Sequence, residues 1–457
     1  HGRPRREGIA MNMRALFLIA FVASLIISVP VRAGHEANHT VNIERVVSPA
    51  GITAWLVRDT INPIINVRFA FRGGAALDPV GKDGLANMVS GLLDEGAGEL
   101  DSQSFQRRLE DLSIELRFNA GRDAFSGRLK TLSENKDQAF HLLKVALLEP
   151  RFDSEPVKRI RGQILAGLRH DLEDPDTIAG QALARELFPN HPYGRPVDGS
   201  RETVMAITSE DLRAFTRQRL TRDNLVIAVV GDMDDKELGR RLDEVFADLP
   251  KAGQDLSVKD VQPHTAGRTK VVKLDIPQSA IAFAQKGLKR SDPEFYAAYV
   301  MNHILGGGGF TSRLYAQIRE KRGLAYSIGS YLYPLDHAGL VQGYGGTANA
   351  RVGETLEVLK SQWRAMAESG VTPEELADAK TYLIGSYPLR FTSTGSIASI
   401  LVSIQLQKLG IDFLDQRNKL VEAVNLKNVN RLAKRLLDPE NMVVVVVGAP
   451  EGVTSTP

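Results

Sequence analysis

The stretch Gly84 to Leu93 is the first place where the sequence raises a question of chemistry. Leu85, Met88, Val89, Leu92 and Leu93 recur at helical spacing and form one apolar stripe. Asn87 and Gly91 stand four apart on a neighbouring face, with Ser90 between them. An H-x-x-E-H zinc helix needs His, Glu and His at those three places. Two imidazoles one turn apart share the metal, and the Glu beside them acts as base. Asn, Ser and Gly supply no zinc ligand. A forward H-E-x-x-H does occur as His35-Glu36-Ala37-Asn38-His39. It follows Gly34 and runs straight into the strand-like Thr40-Val41-Asn42-Ile43, so it lacks the buried helix that a catalytic zinc site requires. Gly306 to Gly309 is a run of four glycines. It has neither the Lys-Ser/Thr of a P-loop nor the G-x-G-x-x-G spacing, which argues against a nucleotide. Glu173-Asp174-Pro175-Asp176 reads as a solvated turn at a helix end rather than a calcium loop. No G-x-S-x-G elbow is present, and no basic stripe interleaved with aromatics marks a nucleic-acid surface.

Composition narrows the classes further. The chain has 457 residues, 43% hydrophobic and 25% charged, an ordinary globular mixture with room for two or three cores. It contains no cysteine, which removes disulfides, thiol nucleophiles, iron–sulfur clusters and Cys-containing zinc sites. Ala15 to Val29 is apolar apart from Ser24 and Ser28, with Arg14 before it and Val31-Arg32-Ala33 after it. This is the pattern of a secretory signal peptide cleaved after Ala33, with Met11 or Met13 as the start. The leader carries Arg3, Arg5, Arg6, Arg14 and Arg32 against Glu7, so its loss takes the net charge from +2 to −2. The expectation is a soluble, exported, periplasmic protein without stable membrane insertion and with no global field to draw nucleic acid.

The elements that must position any site come as a repeat. Ile207 to Asp232 and Val424 to Ala449 share one pattern: an amphipathic helix, a short turn, and a Val/Ile-rich strand closed by glycine. The equivalent Asn224 and Asn441 lie 217 residues apart. An unbroken Val/Ile run predicts a strand covered on both faces. Each unit opens with strands, Ile52–Val57 and Ile65–Ala70 in the first, Lys270–Leu274 and Ala280–Ala284 in the second. Helices then follow without regular βαβ alternation. The predicted fold class is therefore α+β: two homologous units of about 200 residues, each a mainly antiparallel sheet packed with helices. Residues 1–33 form the leader, 34–250 the first unit, 251–267 a polar Gly/Pro-punctuated linker and 268–457 the second unit.

Gly84-Leu85-Ala86-Asn87-Met88-Val89-Ser90-Gly91 resembles the G-L-A-H-x-x-E-H helix of the insulinase/pitrilysin-type zinc metallopeptidases, with the metal-binding residues replaced. Phe71-Arg72-Gly73-Gly74-Ala75 and His191-Pro192-Tyr193-Gly194-Arg195-Pro196 resemble other segments of that family, and the likeness spans nearly all of the chain after the leader. The family's third ligand, a Glu on a later helix, aligns with Gly167 or Ala166. All the metal positions (Asn87, Ser90, Gly91, Gly167) are thus vacated, and the resemblance implies no metal in this chain. Ser312-Arg313-Leu314, Arg319 and Gly323-Leu324-Ala325-Tyr326 are similar to the family's S-R-L-x-x-x-x-R-x-x-x-G-L-x-Y segment. There the Arg and Tyr reach across to the zinc site of the other half of the clamshell. The match falls on Arg319 and Tyr326.

The physics supports that role. Water attack turns a peptide carbonyl into an oxyanion, and a phenol O–H and a guanidinium in a dry cleft can donate to it. Taken bare, the same two residues are an exposed helix arginine and a half-buried strand tyrosine. Ser312 is placed to cap the helix that carries Arg319, Gly323 to end it, and Ala325 to Tyr333 to form the next strand. Gly306, Gly307, Gly308 and Gly309 become, by the resemblance, a flexible substrate-binding loop like that of the non-catalytic subunit of processing peptidases. The whole implies half of a clamshell: the non-zinc subunit of an exported heterodimeric peptidase, inactive alone, binding peptide and stabilising the transition state opposite a partner that carries H-x-x-E-H and zinc. The alternative is a catalytically silent peptide-binding or structural subunit of a larger complex.

Overall fold

A computed structural model describes residues 41–253 and 257–456. The leader and the His35–His39 motif lie outside the described residues. Two sheets organise the rest. The first contains β1 (Glu44–Val47), β2 (Thr53–Arg58), β3 (Ile64–Arg72), β4 (Glu115–Ala120), β5 (Ala124–Leu132) and β6 (Leu225–Gly231), in the order β1-β2-β6-β3-β5-β4. The second contains β7 (Thr269–Lys273), β8 (Gln278–Lys286), β9 (Ala325–Pro334), β10 (Gly339–Ala348) and β11 (Val443–Gly448), in the order β7-β11-β8-β10-β9. Without β1 the two orders are the same. In each sheet the glycine-closed repeat strand runs parallel to the opening strand, β6 to β2 and β11 to β7, and every other pairing is antiparallel. The internal match in sequence is therefore a match in topology.

A paired glycine shows how closely the halves correspond. Phe69 on β3 lies opposite Gly127 on β5, and Phe283 on β8 lies opposite Gly343 on β10. A Cβ at Gly127 would fall 2.1 Å from the Phe69 ring, and one at Gly343 would fall 2.2 Å from the Phe283 ring. The end of each ring thus sits over a bare backbone, and any side chain there would have to displace it.

The buried strands are covered on both faces, as their Val/Ile runs predict, but each covering helix comes from the other half. Val444 and Val446 of β11 join the main core of the second half, whereas Val443, Val445 and Val447 pack with Ala179, Ala182, Leu183 and Leu187 of the helix Pro175–Leu187. Reciprocally, Ile227 and Val229 of β6 enter the first core, while Ala228 and Val230 meet Ala398, Leu401 and Val402 of the helix Thr394–Leu406. Local sequence starts both helices. Asp174 accepts from the Asp176 N–H with Pro175 at the first helical position, and Ser393 accepts from the Ser396 N–H. Polar pins then fix the second helix. Arg72 donates to the Gln405 and Leu406 carbonyls at its C-terminal end, at 2.6 and 2.5 Å. Gln405 donates to the Ile227 carbonyl at 2.9 Å, and Asn66 to the Thr394 hydroxyl at 2.7 Å. At about 1.5–3 kcal/mol for each fully buried valine-sized side chain, these two shared layers are a major part of the fold's stability.

Candidate functional site

The candidate site is built from a continuous segment of the second half. The helix Phe295–Asn302 runs into a wider π-helical turn, His303–Gly307, and a second π-helical stretch, Tyr315–Glu320, precedes β9. Such turns are rare and collect at functional sites. Ser312 stands where a cap is expected, but its hydroxyl donates to the Gly309 carbonyl at 2.8 Å and is only 3.5 Å from the Tyr315 nitrogen. Gly323, with φ +59°, turns the chain from the helical stretch into β9.

That turn brings Arg319 and Tyr326 together. The Arg319 guanidinium carbon lies 4.3 Å from the centre of the Tyr326 ring and 4.9 Å from that of Tyr315. Cation–π stacking between two rings fixes the direction of the guanidinium without using its N–H groups. Three arginines lie in this segment, and their partners distinguish them. Arg313 is committed to Glu375 by two bonds of 2.6 Å, and Arg322 to the Gln317 carbonyl and side chain at 2.8 and 2.9 Å. Among the described residues neither Arg319 nor the Tyr326 hydroxyl has a hydrogen-bond partner. Tyr326 is 81% exposed, so the expected dry cleft is not formed within the described chain, and exclusion of water there needs a covering surface.

The glycine run departs from the expected flexible loop. Gly306 is buried, and a Cβ on it would stand 2.4 Å from the Ser330 hydroxyl and 2.8 Å from its backbone nitrogen. At Gly307 it would meet the Asn302 side chain at 2.8 Å, and at Gly308 the His303 carbonyl at 2.8 Å. Asn302 and Ser330 lock the turn to β9 through bonds of 3.0 and 2.8 Å. Close packing of this turn on β9 accounts for three of the four glycines. Gly309, with φ +58° and open space around it, is the one left for backbone freedom.

Sequence reasoning missed a set of tyrosines beside the pair. Tyr331 and Tyr333 alternate along β9, Tyr344 faces them from β10, and the ring centres are 6.2 and 6.4 Å apart. Tyr344 is exposed and Tyr331 and Tyr333 are partly covered, and the partial burial of Tyr331 together with the neighbouring phenols pushes its phenol up. The period-two spacing of Tyr331 and Tyr333 was the available signal. His303 stacks on Tyr382 at 5.1 Å, and burial lowers its pKa.

The vacated helix is shorter than its apolar stripe predicts. It spans Leu85–Ser90, and Leu92 and Leu93 are buried in the turns that follow. Ser90 turns its hydroxyl back on the Asn87 carbonyl at 2.8 Å. A Cβ at Gly91 would press on Ile160 at 3.2 Å, so a side chain there would crowd the helix Ser154–Asp171. Gly167 lies seven residues beyond Ile160 on that helix, about 10 Å further along, and is exposed with nothing near its Cβ position. These residues do not fit a zinc ion. Among the described residues no group of three His, Asp or Glu side chains converges as a metal site. Nor does any described hydrogen bond or ion pair join this helix to Arg319 or Tyr326. Asp174, in the acidic run, accepts from Thr177 at 2.8 Å as a helix cap.

Several known proteins are similar to this chain. A family model described as the peptidase M16 inactive domain matches residues 206–383. The chain is 28% identical over 386 residues to a non-peptidase homologue, YmxG, of Helicobacter pylori, covering 84% of this chain and 89% of that one. Its structure is similar to a peptidase M16 inactive domain from Pseudomonas fluorescens, with TM-score 0.84, 27% identity, and 91% and 99% of the two chains covered. The chain thus resembles inactive members of the M16 peptidase family over most of its length. A chain of complex III2 from Candida albicans shares the fold at TM-score 0.75 and 16% identity, over 90% of this chain and 97% of that one. The M16 match begins just before the repeat helix Ser209–Arg219 and ends in the helix Pro373–Gly385, so it takes in the Arg319–Tyr326 segment. Among the described residues no helix is long and apolar enough to cross a membrane.

Proposed function

We propose that the chain is the non-zinc subunit of an exported, two-chain M16 peptidase. The observation that carries this reading is the Arg319–Tyr326 stack: the guanidinium carbon lies 4.3 Å from the centre of the exposed tyrosine ring, and among the described residues the polar ends of both side chains make no hydrogen bond. The partner carries H-x-x-E-H and zinc, which supplies an activated water at its own site. This chain contributes the opposing wall of the clamshell and the surface that takes the peptide. Arg319 orients backbone carbonyls, and the Tyr326 hydroxyl donates to the oxygen on which charge develops. A donor so placed contributes about 3–4 kcal/mol once the partner has excluded water. The leader of residues 1–33 sends the subunit out of the cytoplasm.

The test is peptide hydrolysis, with zinc analysis, on this chain alone and mixed with an H-x-x-E-H partner, each repeated with Tyr326→Phe. The reading requires the chain alone to be inactive and zinc-free, the mixture to cleave, and the phenol deletion to slow cleavage about tenfold or more. Metal-dependent cleavage by this chain alone would refute it. The second reading is a silent structural subunit, for which the fold shared with a complex III2 chain speaks. A partner equally active without this chain would establish that reading instead.

A further inference from the structure

On the first sheet, the register places three arginines side by side. Arg68 of β3 lies directly opposite Arg128 of β5, and Arg128 directly opposite Arg117 of β4. Like charges in direct cross-strand pairs destabilise a sheet, so a row of three calls for a compensating partner. Two have one. Arg117 pairs with Asp94 at 3.0 Å, and Arg128 pairs with Glu115. Arg68 has no ion pair or hydrogen bond among the described residues, and the Nε atoms of Arg68 and Arg128 are both buried without an acceptor. Burial and the neighbouring Arg128 both disfavour the charge on Arg68.

Arg68, Arg128 and Glu115 line a cavity of about 480 Å³ that also takes in Lys130 and the start of the helix Thr394–Leu406. The backbone N–H groups of Thr394 and Gly395 are the first two of that 13-residue helix and have no acceptor among the described residues. They contribute the positive end of the helix dipole. The absence of a side chain at Gly395 keeps this terminus close to Arg68, whose terminal nitrogen lies 3.7 Å from where a Cβ would be. Of the two carboxylates at the cavity, Glu115 is engaged with Arg128, and Asp59 accepts from its own loop, the Ile61 N–H at 3.1 Å. The cavity thus combines a guanidinium without a hydrogen-bond or ion-pair partner among the described residues, its charge only partly offset by Glu115, with a lysine and two free backbone donors from an element supplied by the other half of the chain.

We propose that this cavity is a carboxylate-binding subsite that selects acidic peptide segments, with Arg68 and the Thr394 and Gly395 N–H groups donating to the carboxylate and Lys130 adding charge. The inference rests on the peptide-binding reading above and names the class of peptide. Its test is fluorescence anisotropy on the full chain with three labelled peptides that differ only at three positions, all Ser, all Glu or all Lys. The Glu peptide is expected to bind about tenfold more tightly than the Ser peptide at low salt, with the advantage shrinking as salt rises. In Arg68→Gln the Glu/Ser ratio falls to about one. A Cβ at Gly395 meets only ordinary contacts, and Gly395→Asp introduces an internal carboxylate beside Arg68. It is expected to abolish the ratio while raising the thermal midpoint, which distinguishes occupation of the site from misfolding. Equal binding of the Glu and Ser peptides overturns the subsite and leaves peptide binding standing. Failure of all three peptides to bind overturns both readings. Arg68-dependent binding of inorganic phosphate without a Glu/Ser difference assigns the cavity to a free anion and also overturns the proposal.

Discussion

Leu401 is the most direct probe of the exchanged helices. It is fully buried on the helix Thr394–Leu406, yet it packs on Val230, Ala228, Trp55 and Val57 of the sheet built by the first half. Leu401→Ala removes three carbon atoms. At about 0.8 kcal/mol each, the transfer loss is about 2.4 kcal/mol. Incomplete collapse adds a cavity cost of about 24 cal/mol per Å³, bringing the total to about 3–4 kcal/mol. The assay is denaturant unfolding coupled to native-state hydrogen exchange. The midpoint is expected to fall in a single transition, with faster exchange at the amides of β3 and β6 as well as in the helix itself. Those strands lie more than 160 residues away in sequence from the mutated position. Faster exchange confined to residues 394–406, with β3 and β6 as protected as before, would refute the claim that the helix is an integral layer of the first sheet.

Further outcomes follow from buried contacts. Arg219 and Asp78 form a buried ion pair at 3.0 Å that ties the repeat helix to the segment leading into the vacated helix, and Arg219→Met should cost about 3–5 kcal/mol in urea unfolding, partly recovered by adding Asp78→Asn. Burial, opposed by Arg219, raises the Asp78 pKa to about 6, so the folded state holds this proton more tightly than the unfolded chain does; stability should therefore decline as pH rises from about 4 through about 6, and Asp78→Asn should flatten that slope in a pH series of melting curves. Gly306→Ala must displace the Ser330 backbone and should destabilise by about 1–3 kcal/mol, whereas Gly309→Ala meets open space and bears only its left-handed backbone, about 1–2 kcal/mol. A neutral Gly306→Ala in thermal melts would sink the packing account of the glycine run.

Much of the fold could be read from residues because its signals are local. The Val/Ile runs of β6 and β11 announce strands without a solvent face, and the helix-turn-strand repeat around Asn224 and Asn441 announces two similar units. Asn87, Ser90 and Gly91 could be recognised as unable to hold zinc from their chemistry alone. The resemblance to a known segment singled out Arg319 and Tyr326 as a candidate pair, but seven residues of separation do not fix a distance. The wide turns of Tyr315–Glu320 and the left-handed Gly323 do.

Tertiary structure decided what depends on register and on contacts remote in sequence. Alternation along β3, β4 and β5 gives each strand's faces, but only pairing sets Arg68, Arg128 and Arg117 abreast, because a one-residue slip would place them on different faces. Nothing in Gly306, Gly307 and Gly308 distinguishes a mobile loop from a turn jammed against Ser330, since glycine serves both freedom and close approach. Apolar stripes on Pro175–Leu187 and Thr394–Leu406 state that each helix must be covered, but not by which sheet. Hydrophobic burial has no direction of its own, so topology and the pins at Arg72, Gln405 and Asn66 decide that each half completes the other.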